Sequence, residues 1–400
     1  MSDPFGFDSV DPIALRAAGS MKWNKFDSDV LPMWVADMDF KVAPPIAEAL
    51  SKYNDSGMHG YPAYSVTNEF FDSFCDWVNP RFGLGAERDL IKTCADVVQA
   101  LYATVFGFSE PGDGVVILTP LYPPFATSVS TNRRRIVEHR MAPDSDGVWR
   151  VDREKLRAQI EKERPSVFLL CSPHNPVGRL WDRDELEFFG SLVLEFDMTL
   201  VADEIHSDLI FCDRPMIGFA SLSDEIRAHT VTITSANKPF NLAGLKVATI
   251  VFGSMALFDR FRYNVPGMLV GPVPTAGMIG ATAAYRQGAP WLAGACSYLR
   301  ENLDVFAVAM ADRAPAVGVV RSEATYLAWL DFSAVAGVLQ ADGAPTRSVG
   351  ERLILEAKLG INEGQTFGAR LEHFGRINLA TSRHLVLDAV ERIGRWVDAQ

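Results

Sequence analysis

The fold is decided by the stretch Val231-Thr232-Ile233-Thr234-Ser235-Ala236-Asn237-Lys238, in which a short β-branched run ends shortly before a single lysine. Similar runs occur earlier in the chain, at Val115–Leu118, Val167–Cys171 and Thr199–Ala202. Short, nearly unbroken apolar runs are typical of strands buried on both faces of a parallel sheet. The sequence therefore predicts an α/β domain with helices on both faces of a mostly parallel sheet.

One strand is predicted to run against the others. Val247–Phe252 begins nine residues after Lys238, which is too few for the crossover helix that a parallel strand needs. The sheet is therefore expected to be mixed. Further along, a long helical stretch at 291–310 and an alternating, strand-like run at 324–332 predict a second, smaller α+β domain.

The amino-acid composition limits the classes of protein to which this chain can belong. The 400 residues are 48% hydrophobic and 22% charged with a net charge of −12, which predicts a soluble globular protein and argues against a nucleic-acid partner. The five cysteines are scattered without metal-ligand spacing, so we expect reduced thiols and no metal site. The start of the chain lacks a signal-peptide profile, and no apolar run approaches the roughly 20 residues of a membrane span. We therefore expect a cytoplasmic protein that does not enter a membrane.

Polar side chains stand where the predicted strands end. In open parallel sheets the ligand site lies at the carboxyl ends of the strands. The residues there are Tyr122, Asn175, Asp203, His206, Ser235 and Lys238. Taken singly, each is more often an ordinary turn, core or strand-end residue. Together they bring a ring, an amide, a carboxylate, an imidazole, a hydroxyl and an amine to one edge.

These residue types suit pyridoxal 5'-phosphate. A cofactor with an aldehyde needs a lysine to form a Schiff base, and an acid opposite its ring nitrogen keeps that nitrogen protonated. Lys238 and Asp203 fit these roles. Asn175 could donate to the phenolic oxygen of the cofactor, and Tyr122 could stack on its ring.

The cofactor phosphate needs backbone N–H groups at a helix start. Val97 and Val98 follow Asp96, a predicted N-cap, and Ser235 and Lys246 would add a hydroxyl and a positive charge. Asp96 would place a negative charge near the phosphate. That repulsion is reduced if the Asp96 side chain turns back to cap the helix.

Several longer motifs carry a family resemblance. They are W-V-A-D-M-D-F at 34–40, H-G-Y at 59–61, T-P-L-Y at 119–122, P-H-N-P-V-G-R at 173–179, D-E-I-H-S-D at 203–208, N-K-P-F-N-L-A-G-L at 237–245 and R-I-N at 376–378. With them the chain resembles the fold-type I pyridoxal-phosphate enzymes of the class I/II aminotransferase superfamily, and most closely the MalY/PatB group of cystathionine β-lyases. The resemblance extends from Leu31 to about Arg383.

The resemblance and the pattern of elements imply a domain plan. Residues 1–50 would form an N-terminal arm and part of the small domain, residues 51–285 the large domain that binds pyridoxal phosphate, and residues 286–400 the small C-terminal domain.

The resemblance also implies roles for single residues around the cofactor. Lys238 would be the Schiff-base lysine, Asp203 the partner of the pyridine nitrogen, Asn175 the donor to O3' and Tyr122 the stacking ring. His206 stands where aminotransferases keep a tyrosine near O3'.

Further roles concern the substrate and a second subunit. Arg376 aligns with the arginine that binds the substrate α-carboxylate, helped by backbone around Ala36. Tyr61 resembles the tyrosine that one subunit donates to the cofactor of the other, which implies a homodimer. Two positions depart from the pattern: Asp96 replaces a common glycine or serine, and Lys246 replaces the usual arginine.

The predicted activity is β-elimination from cystathionine or a related sulfur amino acid, giving a thiol, pyruvate and ammonia. Lys238 would remove the Cα proton of the substrate. An aminotransferase remains an alternative because its early steps are the same, and the motifs at 34–40 and 203–208 favour the lyase. A non-catalytic regulator of the same fold is a remote alternative, since the residues before Leu31 are too few for an added DNA-binding domain.

Overall fold

The structure is a computed structural model that describes residues 3–335 and 347–400. Its strands, in chain order, are β1 (Leu31–Pro32), β2 (Ile91–Cys94), β3 (Gly114–Thr119), β4 (Arg135–Arg140), β5 (Ala142–Pro143), β6 (Trp149–Arg150), β7 (Val167–Cys171), β8 (Thr199–Asp203), β9 (Thr230–Thr234), β10 (Ala248–Phe252), β11 (Gly318–Val320), β12 (Leu327–Asp331), β13 (Leu359–Gly360), β14 (Asn362–Glu363) and β15 (Phe374–Asn378).

The helices surround these strands. They are α1 (Pro12–Ala17), α2 (Met21–Asn24), α3 (Pro44–Asp55), α4 (Tyr64–Phe82), α5 (Val97–Phe108), α6 (Pro124–Thr131), α7 (Arg153–Glu163), α8 (Arg183–Glu195), α9 (Asp224–Ala228), α10 (Met255–Asn264), α11 (Thr275–Gln287), α12 (Ala289–Arg313), and then the unnumbered helices Val349–Arg352 and Arg383–Asp398. No helix in the described ranges is both long and apolar enough to cross a lipid bilayer.

The central sheet has seven strands in the order β2-β10-β9-β8-β7-β3-β4. The pairs β3·β4, β3·β7, β7·β8 and β8·β9 are parallel. Strand β10 runs antiparallel to both of its neighbours, β2 and β9. The mixed sheet predicted from the short spacing between Lys238 and the following strand is therefore confirmed.

Both faces of this sheet are covered by helices, as predicted. Side chains alternate between the two faces along each strand. On one face, Val115 and Val201 pack in a core with residues of α5, α6 and α10. On the other face, Val116 and Leu200 pack in a separate core with residues of α7 and α8. Because β3, β7 and β8 are buried along their whole length, only their ends can present side chains to a ligand.

A smaller antiparallel sheet follows in the order β11-β12-β15-β14. Residues of α12 and of the C-terminal helix Arg383–Asp398 pack in the core beside it. The N-terminal segment joins this part of the chain, because β1 pairs in parallel with β13. The domain limits 1–50, 51–285 and 286–400 stay a prediction, and residues 1–2 and 336–346 of the outer two ranges lie outside the described residues.

Candidate active site

Lys238 lies in the turn after β9, close to a segment that arrives from the N-terminal part of the chain. Its Nζ donates a hydrogen bond to the carbonyl oxygen of Ala36. Burial lowers the pKa of the Lys238 ammonium, and the charge of Arg376 adds to this, while the carboxylates of Asp37 and Asp203 act in the opposite sense. A lowered pKa enlarges the fraction of neutral amine, which is the form that attacks an aldehyde or accepts a proton.

Asp203 ends β8 and is buried. Its Oδ1 accepts a hydrogen bond from the backbone N–H of Ile205 at 3.1 Å. Burial raises the pKa of Asp203 to about 7, although the Ile205 amide and the charge of Lys238 lower it. A buried carboxylate is costly unless a cation or further donors meet it. The site therefore favours a ligand that presents a positive charge or an N–H group to Asp203.

Asn175 and Arg376 are brought together from two distant parts of the chain. Nη1 of Arg376 donates to Oδ1 of Asn175 at 2.9 Å. Because the Asn175 oxygen is engaged in this way, the group that Asn175 offers to a ligand is its NH₂ donor. Nη2 of Arg376 donates to Asn362 Oδ1 at 2.7 Å and to the carbonyl of Trp34 at 3.2 Å.

The guanidinium of Arg376 is buried, and its Nε has no partner among the described residues. Burial lowers the pKa of Arg376 to about 10, against the opposing effect of two tyrosines, Tyr122 and Tyr326. A buried cation with free donor capacity is suited to a carboxylate ligand, which can accept two parallel hydrogen bonds from a guanidinium.

Tyr122 and His206 complete the centre of the site. Burial raises the pKa of Tyr122, and the charges that act on it are those of Arg376, Asp203 and Asp96. His206 is buried, and its Nδ1 has no hydrogen-bond partner in the described part of the chain. Burial, with the charges of Lys238 and Arg376, lowers the pKa of His206 to about 3. The imidazole is therefore neutral and retains unused hydrogen-bonding capacity towards a ligand.

The predicted phosphate site is assembled at the start of α5. Val97 and Val98 are its first residues, and Asp96 caps the helix by accepting the N–H of Gln99 at 2.8 Å. Asp96 thus turns back towards the helix, which is the arrangement expected to reduce its repulsion of a phosphate. Lys246 is nearby, with its Nζ 2.9 Å from Asp96 Oδ2.

Ser235 is also placed near this end of the sheet. Its hydroxyl donates to the carbonyl of Val247 at 2.6 Å and accepts the N–H of Asn237 at 3.0 Å. The single hydroxyl proton is therefore used within the protein, so Ser235 offers a phosphate less than the sequence alone indicates.

Tyr61 is the predicted site residue that the structure does not bring to Lys238. It is fully exposed, with a relative exposure of 103%. It lines a surface cleft of about 500 Å³ together with His59, Pro62, Pro272 and Thr275. Within one subunit this tyrosine therefore has no access to the buried site.

Sequence reasoning missed the residues that hold the backbone at 34–37. The Ala36 carbonyl accepts a hydrogen bond from Tyr326 at 3.1 Å as well as from Lys238. Asn378 donates from Nδ2 to the carbonyls of Val35 at 2.6 Å and Asp37 at 2.7 Å. The R-I-N motif contains Asn378 and was a usable signal for it. No sequence signal indicated a role for Tyr326, because a tyrosine in an alternating strand is usually a core residue.

The sequence of this chain is similar to those of known proteins along most of its length. Residues 28–393 match the family described as aminotransferase class I and II. The chain is 34% identical over 379 residues to cystathionine β-lyase PatB of Bacillus subtilis, covering 94% of this chain and 95% of that protein. It is 31% identical over 358 residues to protein MalY of Escherichia coli, covering 89% and 88% of the two chains.

A solved structure agrees with the fold. Cystalysin of Treponema denticola, described as containing pyridoxal 5'-phosphate, superposes with a TM-score of 0.89 at 30% identity and covers 98% of this chain and 99% of its own. The fold-type I architecture predicted from the motifs is therefore confirmed. The chain belongs to the aminotransferase class I and II family.

Proposed function

We propose that this protein is a pyridoxal-phosphate-dependent C–S β-lyase that cleaves cystathionine or a related cysteine S-conjugate to a thiol, pyruvate and ammonia. The observation that carries the proposal is a grouping of three charged side chains from both sheets. The Lys238 amine and the buried Asp203 carboxylate follow β9 and end β8 of the central sheet, and the buried Arg376 guanidinium reaches them from β15 of the smaller sheet. Support comes from similarity across nearly the whole chain to PatB, a cystathionine β-lyase, and to MalY.

The side chains present fit the cofactor. Lys238 would bond its aldehyde carbon, Asp203 would face the ring nitrogen, Asn175 would donate from its NH₂ group to the phenolic oxygen, and Tyr122 would stack on the ring. The N–H groups of Val97 and Val98 at the start of α5 would receive the phosphate. Bound in this way, the cofactor supplies an electron-withdrawing ring that stabilises negative charge at the substrate Cα.

Arg376 would orient the substrate by its α-carboxylate. It approaches from β15 with an Nε that has no partner in the described ranges, and Asn362 and the Trp34 carbonyl fix the direction of its guanidinium. The carbonyl of Ala36 already accepts hydrogen bonds from Lys238 and Tyr326. Any contact from Ala36 to the substrate carboxylate would therefore come from its backbone N–H.

Lys238 would then move the proton. Its lowered pKa enlarges the fraction of neutral amine at a given pH, and the neutral amine is the form that a general base requires. After the Cα proton is removed, the thiolate leaves from Cβ. The released three-carbon enamine hydrolyses in water to pyruvate and ammonia.

The lyase is separated from an aminotransferase by one incubation. Purified protein is supplied with pyridoxal phosphate and cystathionine, without any keto acid, and pyruvate and thiol are assayed. We expect both products in equal amounts. A strict aminotransferase yields neither product under these conditions, and that result would refute the proposal.

We further propose a homodimer in which Tyr61 reaches the cofactor of the partner subunit. The support is its complete exposure, beside other exposed large side chains such as Met58 (76%) and Tyr64 (90%), which a single subunit leaves in water. A cytoplasmic location and a sulfur amino acid as substrate belong to the same proposal.

A mixing experiment tests the shared site. Lys238→Ala and Tyr61→Ala are each expected to have low activity, but a mixed dimer contains one site with native Lys238 and native Tyr61. Unfolding and refolding the two variants together should restore up to about one quarter of native activity, the statistical share for a two-fold dimer. Tyr61 does not act across subunits if mixing restores nothing while native protein refolds normally.

A further inference from the structure

A charged pair stands at the helix end that would receive the cofactor phosphate. Asp96 uses Oδ1 to accept the backbone N–H of Gln99 at 2.8 Å, and its Oδ2 lies 2.9 Å from Nζ of Lys246. Both oxygens of this carboxylate are therefore engaged. Lys246 meets it from the turn that precedes β10.

The sheet register explains why these two residues meet. β2 and β10 pair antiparallel with Ala248 opposite Cys94, so the segment before β10 and the segment after β2 lie at the same end. Lys246 adopts a φ of +56°, a left-handed conformation that residues other than glycine seldom adopt. A glycine would be easier to accommodate here.

The charge of Asp96 is a problem that the pair resolves. The N–H groups at the start of α5 attract a phosphate, which carries about −1.5 to −2 charge at neutral pH. A carboxylate at the same helix end repels it. The charge of Asp96 also acts on Tyr122, the ring predicted to stack on the cofactor. With Lys246 attached, the net charge added to the phosphate site is close to zero.

We infer that Lys246 acts as the counter-ion of Asp96 and that this pair, rather than Lys246 as an independent phosphate ligand, sets the affinity for pyridoxal phosphate. The inference rests on the proposed function, because it takes that cofactor as the ligand. Lys246 is thus a positioning residue that acts through Asp96.

The two roles of Lys246 differ in a double-mutant cycle. Cofactor-free native protein, Lys246→Ala, Asp96→Asn and the double variant are titrated with pyridoxal phosphate, and Kd is read from the absorbance change. Asparagine caps a helix about as well as aspartate, so α5 keeps its start. Lys246→Ala should raise Kd about tenfold or more, because an uncompensated charge then faces the phosphate. The double variant should bind within about threefold of Asp96→Asn, because Lys246 then has no carboxylate to neutralise.

The inference is overturned if Lys246→Ala weakens binding as much in the Asp96→Asn background as in the native background, since Lys246 would then act without Asp96. Absence of any pyridoxal phosphate binding by native protein would instead refute the proposed function. Pyridoxal, which lacks the phosphate, should bind all four proteins equally, and a Kd shift for pyridoxal would also overturn the inference.

The chain offers a matched control at another helix. Asp152 caps α7 by accepting the N–H of Lys155, and the Lys155 ammonium pairs with its other oxygen. Lys155→Ala removes the same kind of pair away from the site and should leave the cofactor Kd unchanged. Partly exposed pairs of this type contribute only about 0–1 kcal/mol to stability, so all variants should fold and melt like the native protein. A loss of cofactor affinity in Lys155→Ala equal to that in Lys246→Ala would contradict the local origin of the effect.

Discussion

Two lysines, the buried Lys22 and the half-buried Lys238, donate to adjacent carbonyls of one backbone segment, yet their surroundings differ. Lys22 is 1% exposed, and its Nζ lies 2.8 Å from Asp39 Oδ2 and 3.4 Å from the carbonyl of Asp37. Trp23 donates to the other oxygen of Asp39 at 2.7 Å. Lys238 donates instead to the carbonyl of Ala36, and within the described ranges it forms no ion pair with a carboxylate.

The difference separates a structural lysine from a reactive one. A buried ammonium that is paired with a carboxylate is engaged in a structural contact, because removing either partner leaves an uncompensated buried charge. A buried ammonium without such a partner has a lowered pKa and an amine available for bond formation, as found for Lys238. Both lysines contact the same backbone segment, at Ala36 and Asp37. The contrast between them therefore arises from the partner of each amine and not from the burial of the side chain alone.

The largest expected effect is on the reactive side of this comparison. Lys238→Ala should lower the rate of thiol release from cystathionine by at least about 10³-fold, because both the cofactor bond and the general base are lost. Its free energy of unfolding should fall less than that of Lys22→Met, since the variant loses a hydrogen bond to a carbonyl but no ion pair. Thiol release and urea unfolding check the two statements, and a variant that keeps more than about a tenth of native activity would contradict the first.

The structural side of the comparison is tested by Lys22→Met. Removal of the amine leaves the Asp39 carboxylate buried without its cation, which should lower the free energy of unfolding by about 3–5 kcal/mol in urea titrations. The double variant Lys22→Met/Asp39→Leu should recover most of this loss, since it leaves no unpaired charge. If Lys22→Met unfolds at the native urea concentration, Lys22 does not have the structural role assigned to it.

Asp203 gives a smaller, pH-dependent effect. Its pKa of about 7 in the folded chain is raised above the ordinary value, so between about pH 4 and 7 the folded, cofactor-free protein binds more protons than the unfolded chain. Its contribution to the free energy of unfolding therefore falls as the pH rises through this window. Asp203→Asn should remove that fall and gain stability relative to native protein as the pH rises from about 4 to 7.

Urea unfolding of both cofactor-free proteins at several pH values checks this prediction. Burial raises the pKa of Glu204 to about 8, and this group contributes a slope of the same sign. It is present in both proteins, so the difference between them reports mainly on Asp203. Parallel stability profiles would show that the pKa of Asp203 is not raised by folding.

The smallest effect concerns the hydroxyl that shares the Ala36 carbonyl with Lys238. Tyr326→Phe removes one neutral hydrogen bond, worth about 0.5–1.5 kcal/mol, and should lower kcat/KM only a few-fold. Tyr298→Phe is the control, because its hydroxyl donates to Asp8 at 2.5 Å and plays no part in the site. The control should keep native kcat/KM, and an equal loss in both variants would mean that the effect is not local to Ala36.

Much of the fold could be predicted from local patterns. Buried strands carry their own β-branched signature, and the nine residues from Lys238 to Val247 leave no room for a crossover. The carboxyl ends of parallel strands meet at one edge, so Asn175, Asp203 and Lys238 could be grouped from the sequence alone.

What could not be predicted depends on contacts between distant segments. The pairing of Lys22 with Asp39, the shared Ala36 carbonyl and the pair formed by Asp96 and Lys246 each depend on the docking of separate parts of the chain. Local periodicity shows which face of an element is buried but not which partner meets it. The sequence therefore identified Asp96 as an anomaly without showing that Lys246 neutralises it.

The most direct test of the central claim is to find which lysine carries the cofactor. Native protein loaded with pyridoxal phosphate is treated with borohydride, which reduces the lysine–cofactor bond to a stable amine. The protein is then digested, and the masses of the peptides are measured by mass spectrometry. The account predicts the added mass on the peptide that contains Lys238 and none on the peptide that contains Lys22. Cofactor mass on another lysine, with the Lys238 peptide unmodified, would contradict it.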